Sequence, residues 1–197
     1  MTRQQLEHII RAAGSITNER ELLILGSQAI LGAIAQPPPE LTLSTEADVC
    51  PLGDPDKAEL ISGSIGELSR FQETYGYYAH GLPPTACALP VGWENRLIKI
   101  ANPNTNGIAG LCLSPLDLAC AKLAAGREKD MEFVEAMLTH GLADPAQLAA
   151  RIEGIPTAEQ RAAASKNLTI LQNRIRSQRR LPEPKLPQRQ NPSIGMD

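Results

Sequence analysis

The chain has 197 residues, of which 42% are hydrophobic and 3% aromatic, and its formal net charge is -3. This length and apolar content suffice for one buried core with a helical appendage. The negative charge excludes a global attraction to nucleic acid, and the scarcity of aromatic residues argues against extensive stacking on bases. No apolar run reaches the roughly 20 residues of a membrane span, and the N-terminal stretch is typical of an amphipathic helix rather than a signal peptide. We therefore expect a cytoplasmic protein without a membrane partner.

Cysteine and histidine spacing gives no sign of a disulfide framework or a zinc site. The four cysteines form no C-x-x-C pair and are expected to be reduced core residues; they are Cys50, Cys87, Cys112 and Cys120. The three histidines stand far apart with no second ligand at metal spacing; they are His8, His80 and His140. We expect no histidine zinc site.

Residues 1–113 carry a mixture of helix and strand patterns. Helices are predicted at 2–13, ended by Gly14, at 28–35 and at 56–74. Strands are predicted at 21–25, 41–49, 77–79, 86–89, 96–100 and 108–113, and the Asn- and Gly-rich stretch 102–107 is predicted to be a turn.

From residue 114 onward the pattern becomes helical. Ser114 is a typical helix cap, Pro115 suits the first helical position, and the helix that follows is predicted to run to Gly141. Further helices are predicted at about 145–153 and 156–176. The predicted fold class is thus α+β: an α/β core over 1–113 with a mixed sheet flanked by helices, a C-terminal helical bundle over 114–178 that packs on it, and a basic, proline-rich, disordered tail over 179–197.

The stretch from 22 to 52 is the most informative part of the chain. A buried strand ends in Gly26 and Ser27, and a second strand then carries Glu46 and Asp48. Side chains two apart on a strand share a face, so the two carboxylates can hold a Mg²⁺ (or Mn²⁺) ion that also binds phosphates. A helix that starts after Gly26 would point backbone N–H groups at those phosphates. Each half alone has a simpler interpretation, a common turn or a solvated edge; their conjunction in this order favours a nucleotide site.

A second cluster follows in the predicted helix from 116 to 141: Lys122, Gly126, Arg127, Lys129 and Asp130. At helical spacing, Lys122, Gly126 and Asp130 lie along one side, with a gap at the glycine. A run of charges is usually a solvated helix face. Lys122 argues against that interpretation, because it lies in an otherwise apolar segment where an unpartnered ammonium is costly to bury.

These two blocks resemble the nucleotidyltransferase-like proteins of bacterial toxin-antitoxin and abortive-infection systems. The matching residues are Gly26, Ser27, Glu46 and Asp48, together with Lys122 as the third motif and Asp130 as the fourth. The resemblance implies a minimal nucleotidyltransferase fold whose catalytic residues are Glu46, Asp48, Lys122 and Asp130. It implies a nucleoside triphosphate bound by Gly26, Ser27, Lys122 and Arg127, and Mg²⁺ on Glu46 and Asp48. The acceptor of the nucleoside monophosphate would be a tRNA end or a protein hydroxyl, and a cognate antitoxin would be a partner.

Two departures from the family pattern leave a second interpretation open. The first acid is Glu46 where many relatives have aspartate, and a third strand acid is not evident, with Glu94 as a weak candidate against a plain turn acid. The alternative is a catalytically degenerate module that keeps the fold and binds a nucleotide or a partner. The role of the tail over 179–197 is left open too: its basic residues could engage RNA or an acidic partner, or have no role.

Overall fold

The computed structural model describes residues 1–180, which form a five-stranded mixed sheet flanked by helices and followed by four C-terminal helices. The predicted fold class is confirmed. The strands are β1 (Glu21–Leu25), β2 (Glu46–Pro51), β3 (Tyr78–Gly81), β4 (Ile98–Ile100) and β5 (Ala109–Cys112). The helices are α1 (Arg3–Thr17), α2 (Ile30–Ala33), α3 (Ala58–Ile65), α4 (Arg70–Tyr75), α5 (Pro115–Ala125), α6 (Glu128–Thr139), α7 (Pro145–Ile152) and α8 (Ala158–Arg180).

The sheet order is β3-β2-β1-β5-β4, with β1 at the centre. β1 is antiparallel to β2 and parallel to β5, while β2 and β3 run parallel. Four of the five β1 residues are buried, which explains why this segment is an uninterrupted apolar run. In β2 the burial alternates at its start: Ala47 is buried, whereas Glu46 and Asp48 on either side are only partly buried. The two acids therefore share the face opposite Ala47.

One continuous apolar core joins the sheet to the C-terminal helices. The buried cluster runs from the helix α1 and the strands through to α8, and it includes Leu23, Val49, Leu123, Leu148 and Leu171. α5 packs against α6, α7 and α8. The division of the chain at residues 113 and 114 stays a prediction, and residues 181–197 of the predicted tail lie outside the described residues. Among the described residues, no helix combines the length and the apolar character needed to cross a membrane.

Several predicted helix ends are wrong for identifiable reasons. Gly14 does not end α1 but lies inside it, at a position where a Cβ would meet Ile108 at 2.6 Å. The helix is instead capped by Asn18, which takes a left-handed φ of 56°. The helix predicted at 28–35 is a 3-10 turn, Ser27–Ala29, followed by the four residues of α2. The helix predicted at 56–74 is split into α3 and α4, since α3 ends at Gly66.

Two further predictions fail in ways that shape the site. The strand predicted at 86–89 does not form; that segment follows a 3-10 turn, Pro84–Ala86. The single helix predicted from 116 to 141 is broken at Gly126, which has φ +63° and donates its N–H to the Lys122 carbonyl at 2.9 Å. Such a left-handed glycine is a common helix terminator. Lys122 and Asp130 therefore lie on different helices.

A buried carboxylate ties the end of the sheet to the helices. Asp117 on α5 is fully buried and receives three hydrogen bonds from Arg96, which precedes β4, at 2.8, 2.9 and 3.3 Å. Arg151 on α7 donates a fourth at 2.9 Å, and the Ser114 hydroxyl a fifth at 2.5 Å. Burial alone would raise the pKa of Asp117, but these hydrogen bonds and the arginine charges outweigh it and leave that pKa lowered.

Asp117→Ala is expected to lower the free energy of unfolding by about 3–5 kcal/mol, because it leaves two arginines around an empty buried position. Urea denaturation measures this loss. The exposed Glu59→Ala on α3 is the control and should change stability by less than about 0.5 kcal/mol. Because the folded-state pKa is lowered, the stabilisation from ionised Asp117 is present above the unfolded-state pKa of about 3.9 and is lost as the pH falls through the lower folded value. Equal unfolding free energies for Asp117→Ala and wild type at pH 7 would contradict this role.

Candidate active site

A cleft of about 1200 Å³ opens between the edge of the sheet and the helices α5 and α6. Its wall includes all seven residues that the sequence assigned to a site: Gly26, Ser27, Glu46, Asp48, Lys122, Arg127 and Asp130. They come from three separate parts of the chain. Sheet pairing and the break at Gly126 bring these parts together.

Gly26 and Asp48 are in direct contact, because antiparallel pairing places Asp48 opposite Leu25, the last residue of β1. The chain leaves β1 at Gly26 with φ +57°, a conformation that strongly favours glycine. A Cβ on Gly26 would lie 1.9 Å from the Asp48 Oδ2 atom. Glycine is therefore required twice here, by the backbone angle and by the space that the carboxylate occupies.

The two carboxylates, Glu46 and Asp48, form what we call the acid pair. Burial, followed by repulsion from Glu46, raises the pKa of Asp48, while His80, Lys122 and Lys129 act in the opposite direction but do not cancel the rise. Within residues 1–178 neither carboxylate forms an ion pair with a lysine or arginine. Two adjacent acids without a lysine or arginine partner are electrostatically unfavourable unless a cation or a proton compensates them.

The opposite wall carries Lys122 and Arg127, which we call the basic pair. The Lys122 Nζ atom lies 2.9 Å from Asp130 Oδ1 and 4.5 Å from the centre of the Phe133 ring. The Arg127 Nε atom lies 2.6 Å from Asp130 Oδ2. Burial would raise the pKa of Asp130, but hydrogen bonds from Arg127 and Lys122 outweigh it and lower that pKa. One buried, ionised aspartate thus fixes both cations at the cleft.

The basic pair differs in exposure. The Lys122 side chain is only 8% exposed, whereas that of Arg127 is 64% exposed. Among the described residues, Arg127 uses only its Nε to bond Asp130, so its other guanidinium N–H groups are available as donors to an anion in the cleft that Arg127 lines. Lys122 and Asp130 are both buried, so the alternative interpretation of this segment as a solvated helix face does not hold for them, as the apolar surroundings of Lys122 indicated.

His80 is the residue that the sequence analysis missed. It lies on β3, where parallel pairing sets it opposite Asp48, and its Nδ1 atom is 3.4 Å from Glu46 Oε1 and 3.8 Å from Asp48 Oδ1. Glu94, the candidate third acid, is exposed in a 3-10 turn and does not line the cleft. The alternation of Tyr78, Ala79 and His80 is the one local sign that His80 shares a strand face with Tyr78. It indicates a site residue only once β3 is known to adjoin β2.

The cysteines are free, as predicted, and three of the four are buried. Cys87 is the one that reaches the cleft. Burial, with a contribution from Asp48, raises the pKa of its thiol to about 11. Cys87 is therefore a neutral wall residue at physiological pH rather than a thiolate ligand or nucleophile.

One family model matches residues 4–176, nearly the whole chain, and is described as "Nucleotidyltransferase of unknown function (DUF6036)". The chain belongs to this family. The match covers both blocks of the site, from Gly26 through Asp130. No curated protein and no solved structure matches the chain. Membership in this nucleotidyltransferase family agrees with the resemblance that the sequence motifs indicated; a bacterial origin and a toxin-antitoxin setting stay predictions.

Gly26→Ala is expected to lower the free energy of unfolding by at least about 1–3 kcal/mol, the usual cost of a strained backbone angle, with a further loss from the clash with Asp48. Chemical denaturation checks it. The control is Gly63→Ala on α3, where a Cβ meets nothing within 4 Å and a small gain in stability is expected.

The clash has its own test in a double-mutant cycle. In an Asp48→Ala background Gly26→Ala should cost clearly less than in wild type, because the clashing carboxylate is gone while the backbone cost remains. Additive effects of the two substitutions would show that Gly26 and Asp48 do not interact.

Proposed function

We propose that the protein is a divalent-cation-dependent nucleotidyltransferase that moves a nucleoside monophosphate from a nucleoside triphosphate to a hydroxyl group of an RNA, such as tRNA, or of a protein. The observation that carries the proposal is the pairing of opposite charges across one cleft: an acid pair without a lysine or arginine partner among the described residues faces a basic pair fixed by Asp130. Membership in the nucleotidyltransferase family supports it.

The residues present fit a Mg²⁺ or Mn²⁺ ion. Carboxylate oxygens are the ligands that such ions prefer when they also hold substrate phosphates, and the raised pKa of Asp48 reflects negative charge that a cation would offset. Glu46 and Asp48 would hold the ion. When bound, it would draw off charge from the phosphate oxygens during transfer.

The chain's own residues would bind and position the triphosphate. Arg127 offers guanidinium donors to the phosphates, and Lys122 supplies a fixed positive charge whose position Asp130 and Phe133 hold. Gly26 and Ser27 bring backbone close to the same end of the cleft without a bulky side chain. Asp130 is thus a positioning residue, because both of its carboxylate oxygens are already bound by the basic pair.

The proposed transfer forms one bond to the α-phosphorus and breaks another. The acceptor hydroxyl oxygen forms a bond to the α-phosphorus, the bond from that phosphorus to the bridging oxygen of the β-phosphate breaks, and pyrophosphate leaves with that oxygen. The hydroxyl proton passes to water. Such transfers depend on positioning and charge stabilisation more than on covalent help from the protein.

One observation favours a second candidate, a module that binds nucleotide without transferring it. The wall of the cleft beside the acid pair carries His80, and within the described residues no third carboxylate approaches that pair as a metal ligand. Nucleotide binding in the presence of Mg²⁺ or Mn²⁺, with no transfer to tRNA or to proteins of a lysate, would favour this module over the enzyme. A toxin-like role and a cognate antitoxin stay predictions that follow from the resemblance alone.

Asp48→Asn is expected to reduce transfer of label from nucleoside triphosphates to tRNA or protein by at least about 100-fold. Its thermal midpoint should stay equal to or exceed that of wild type, because the raised pKa means that folding disfavours the ionised form of Asp48 at neutral pH. The exposed Glu59→Gln should leave both quantities unchanged. Equal labelling by Asp48→Asn and wild type would refute the assignment of the acid pair.

Lys122→Met is expected to weaken nucleoside triphosphate binding at least about tenfold, measured by calorimetry, because it removes a fixed charge from the phosphate end of the cleft. The matched control is Lys129→Met, a change to an exposed lysine on the same wall, which should alter binding by less than about threefold. A larger effect of Lys129→Met than of Lys122→Met would reverse the roles assigned here.

A further inference from the structure

His80 offers a ring nitrogen to the same point in space as the acid pair. Parallel pairing of β2 with β3 aligns Asp48 with His80, so their side chains leave the sheet on the same face. One ligand atom from each of Glu46, Asp48 and His80 can be chosen so that all three lie within 4.8 Å of one another. Two ligands of one ion at about 2.1 Å each are at most about 4.2 Å apart, so side-chain movement of under about 1 Å closes this set around an ion.

No basic side chain competes for this position among the described residues. Lys122 and Arg127 are both held by Asp130, and the acid pair has no lysine or arginine within ion-pair distance there. His80 is not a core residue either: its side chain is 53% exposed, and its close polar neighbours are the two carboxylates. The imidazole is therefore accessible, and its Nδ1 atom already lies near the carboxylate oxygens of Glu46 and Asp48.

We propose that His80 is the third protein ligand of the cation held by Glu46 and Asp48, and that its nitrogen makes the site prefer Mn²⁺ to Mg²⁺. This inference rests on the proposed function, since both place the cation on the same acid pair. Carboxylates accept either ion, but Mg²⁺ prefers oxygen ligands and gives up water reluctantly. Imidazole nitrogen is a better ligand for first-row transition ions, so a set of two carboxylates and one imidazole shifts the balance toward them.

The experiment measures metal binding by the full-length, metal-stripped protein without any substrate. Loss of the free Mn²⁺ electron paramagnetic resonance signal gives Mn²⁺ affinity, and competition gives Mg²⁺ affinity. Wild type is expected to bind Mn²⁺ at least about tenfold more tightly than Mg²⁺, and pulsed measurements should show a nitrogen nucleus coupled to the bound Mn²⁺.

Three variants test whether His80 itself binds the metal ion. His80→Asn should lose the nitrogen coupling and at least about tenfold in Mn²⁺ affinity, while Mg²⁺ affinity changes by less than about threefold. His80→Asp should strengthen Mg²⁺ binding and abolish the preference for Mn²⁺. His140→Asn, at another part of the cleft wall near Glu40, is the control and should leave both affinities unchanged. Thermal midpoints of all variants check that they fold.

The outcomes distinguish this inference from the function on which it rests. If Mn²⁺ binds wild type and is lost in Asp48→Asn, but His80→Asn keeps both the nitrogen coupling and the Mn²⁺ preference, His80 is not a ligand while the acid pair still is. If Asp48→Asn binds Mn²⁺ as tightly as wild type, or wild type binds none, the metal site itself is wrong and the proposed function falls with this inference.

Discussion

The repulsion between two carboxylates held side by side on β2 is the constraint on which the rest of the site depends. Glu46 and Asp48 share a face because they are two apart on a strand, and the buried Ala47 between them fixes which face that is. Burial and repulsion from Glu46 raise the pKa of Asp48, so folding disfavours the ionised form of Asp48. A bound cation, as proposed, would offset this cost.

The surrounding fold places that pair beside the turn at Gly26 and, among the described residues, out of ion-pair contact with lysine and arginine. Because Gly26 has no side chain, Asp48 Oδ2 can occupy the space where a Cβ would lie. Across the cleft, the break at Gly126 turns the chain back so that Asp130 on α6 reaches Lys122 on α5. The negative and positive halves of the site are thereby built separately, each by a local interaction, and meet across the cleft. A triphosphate with its cation carries the complementary charges.

The sequence predicted which residues line this cleft better than it predicted the elements around them, while their roles in binding and catalysis stay predictions. Glu46 and Asp48 could be assigned to one face because strand periodicity is local, and Lys122 stood out because a lysine within an apolar segment needs a partner. The partner is Asp130, which the sequence analysis placed along the same helix side with a gap at Gly126; in the fold the two residues meet across a helix break. The sequence alone does not distinguish a glycine that ends a helix from one that lies inside a helix, because tertiary packing determines which occurs. Gly14, predicted to end a helix, lies inside α1, whereas Gly126, predicted to lie inside a helix, ends α5.

His80 and Asp117 show what local patterns could not supply. His80 lies 32 residues after Asp48, and only the parallel pairing of β3 with β2 brings it to the acid pair. Asp117 lies in the first turn of α5, where an acid is common in any helix, but in the fold it joins arginines 21 residues before it and 34 residues after it. Both depend on strand order and helix packing, which are long-range properties that periodicity does not encode.

A crystal of the protein grown with Mn²⁺ and a nonhydrolysable nucleoside triphosphate, with the metal located by its anomalous scattering, tests the central claim most directly. The account predicts a Mn²⁺ peak within about 2.3 Å of oxygens from both Glu46 and Asp48, with the phosphates extending toward Arg127 and Lys122. A nucleotide bound elsewhere, or an anomalous peak that touches neither carboxylate, would contradict it.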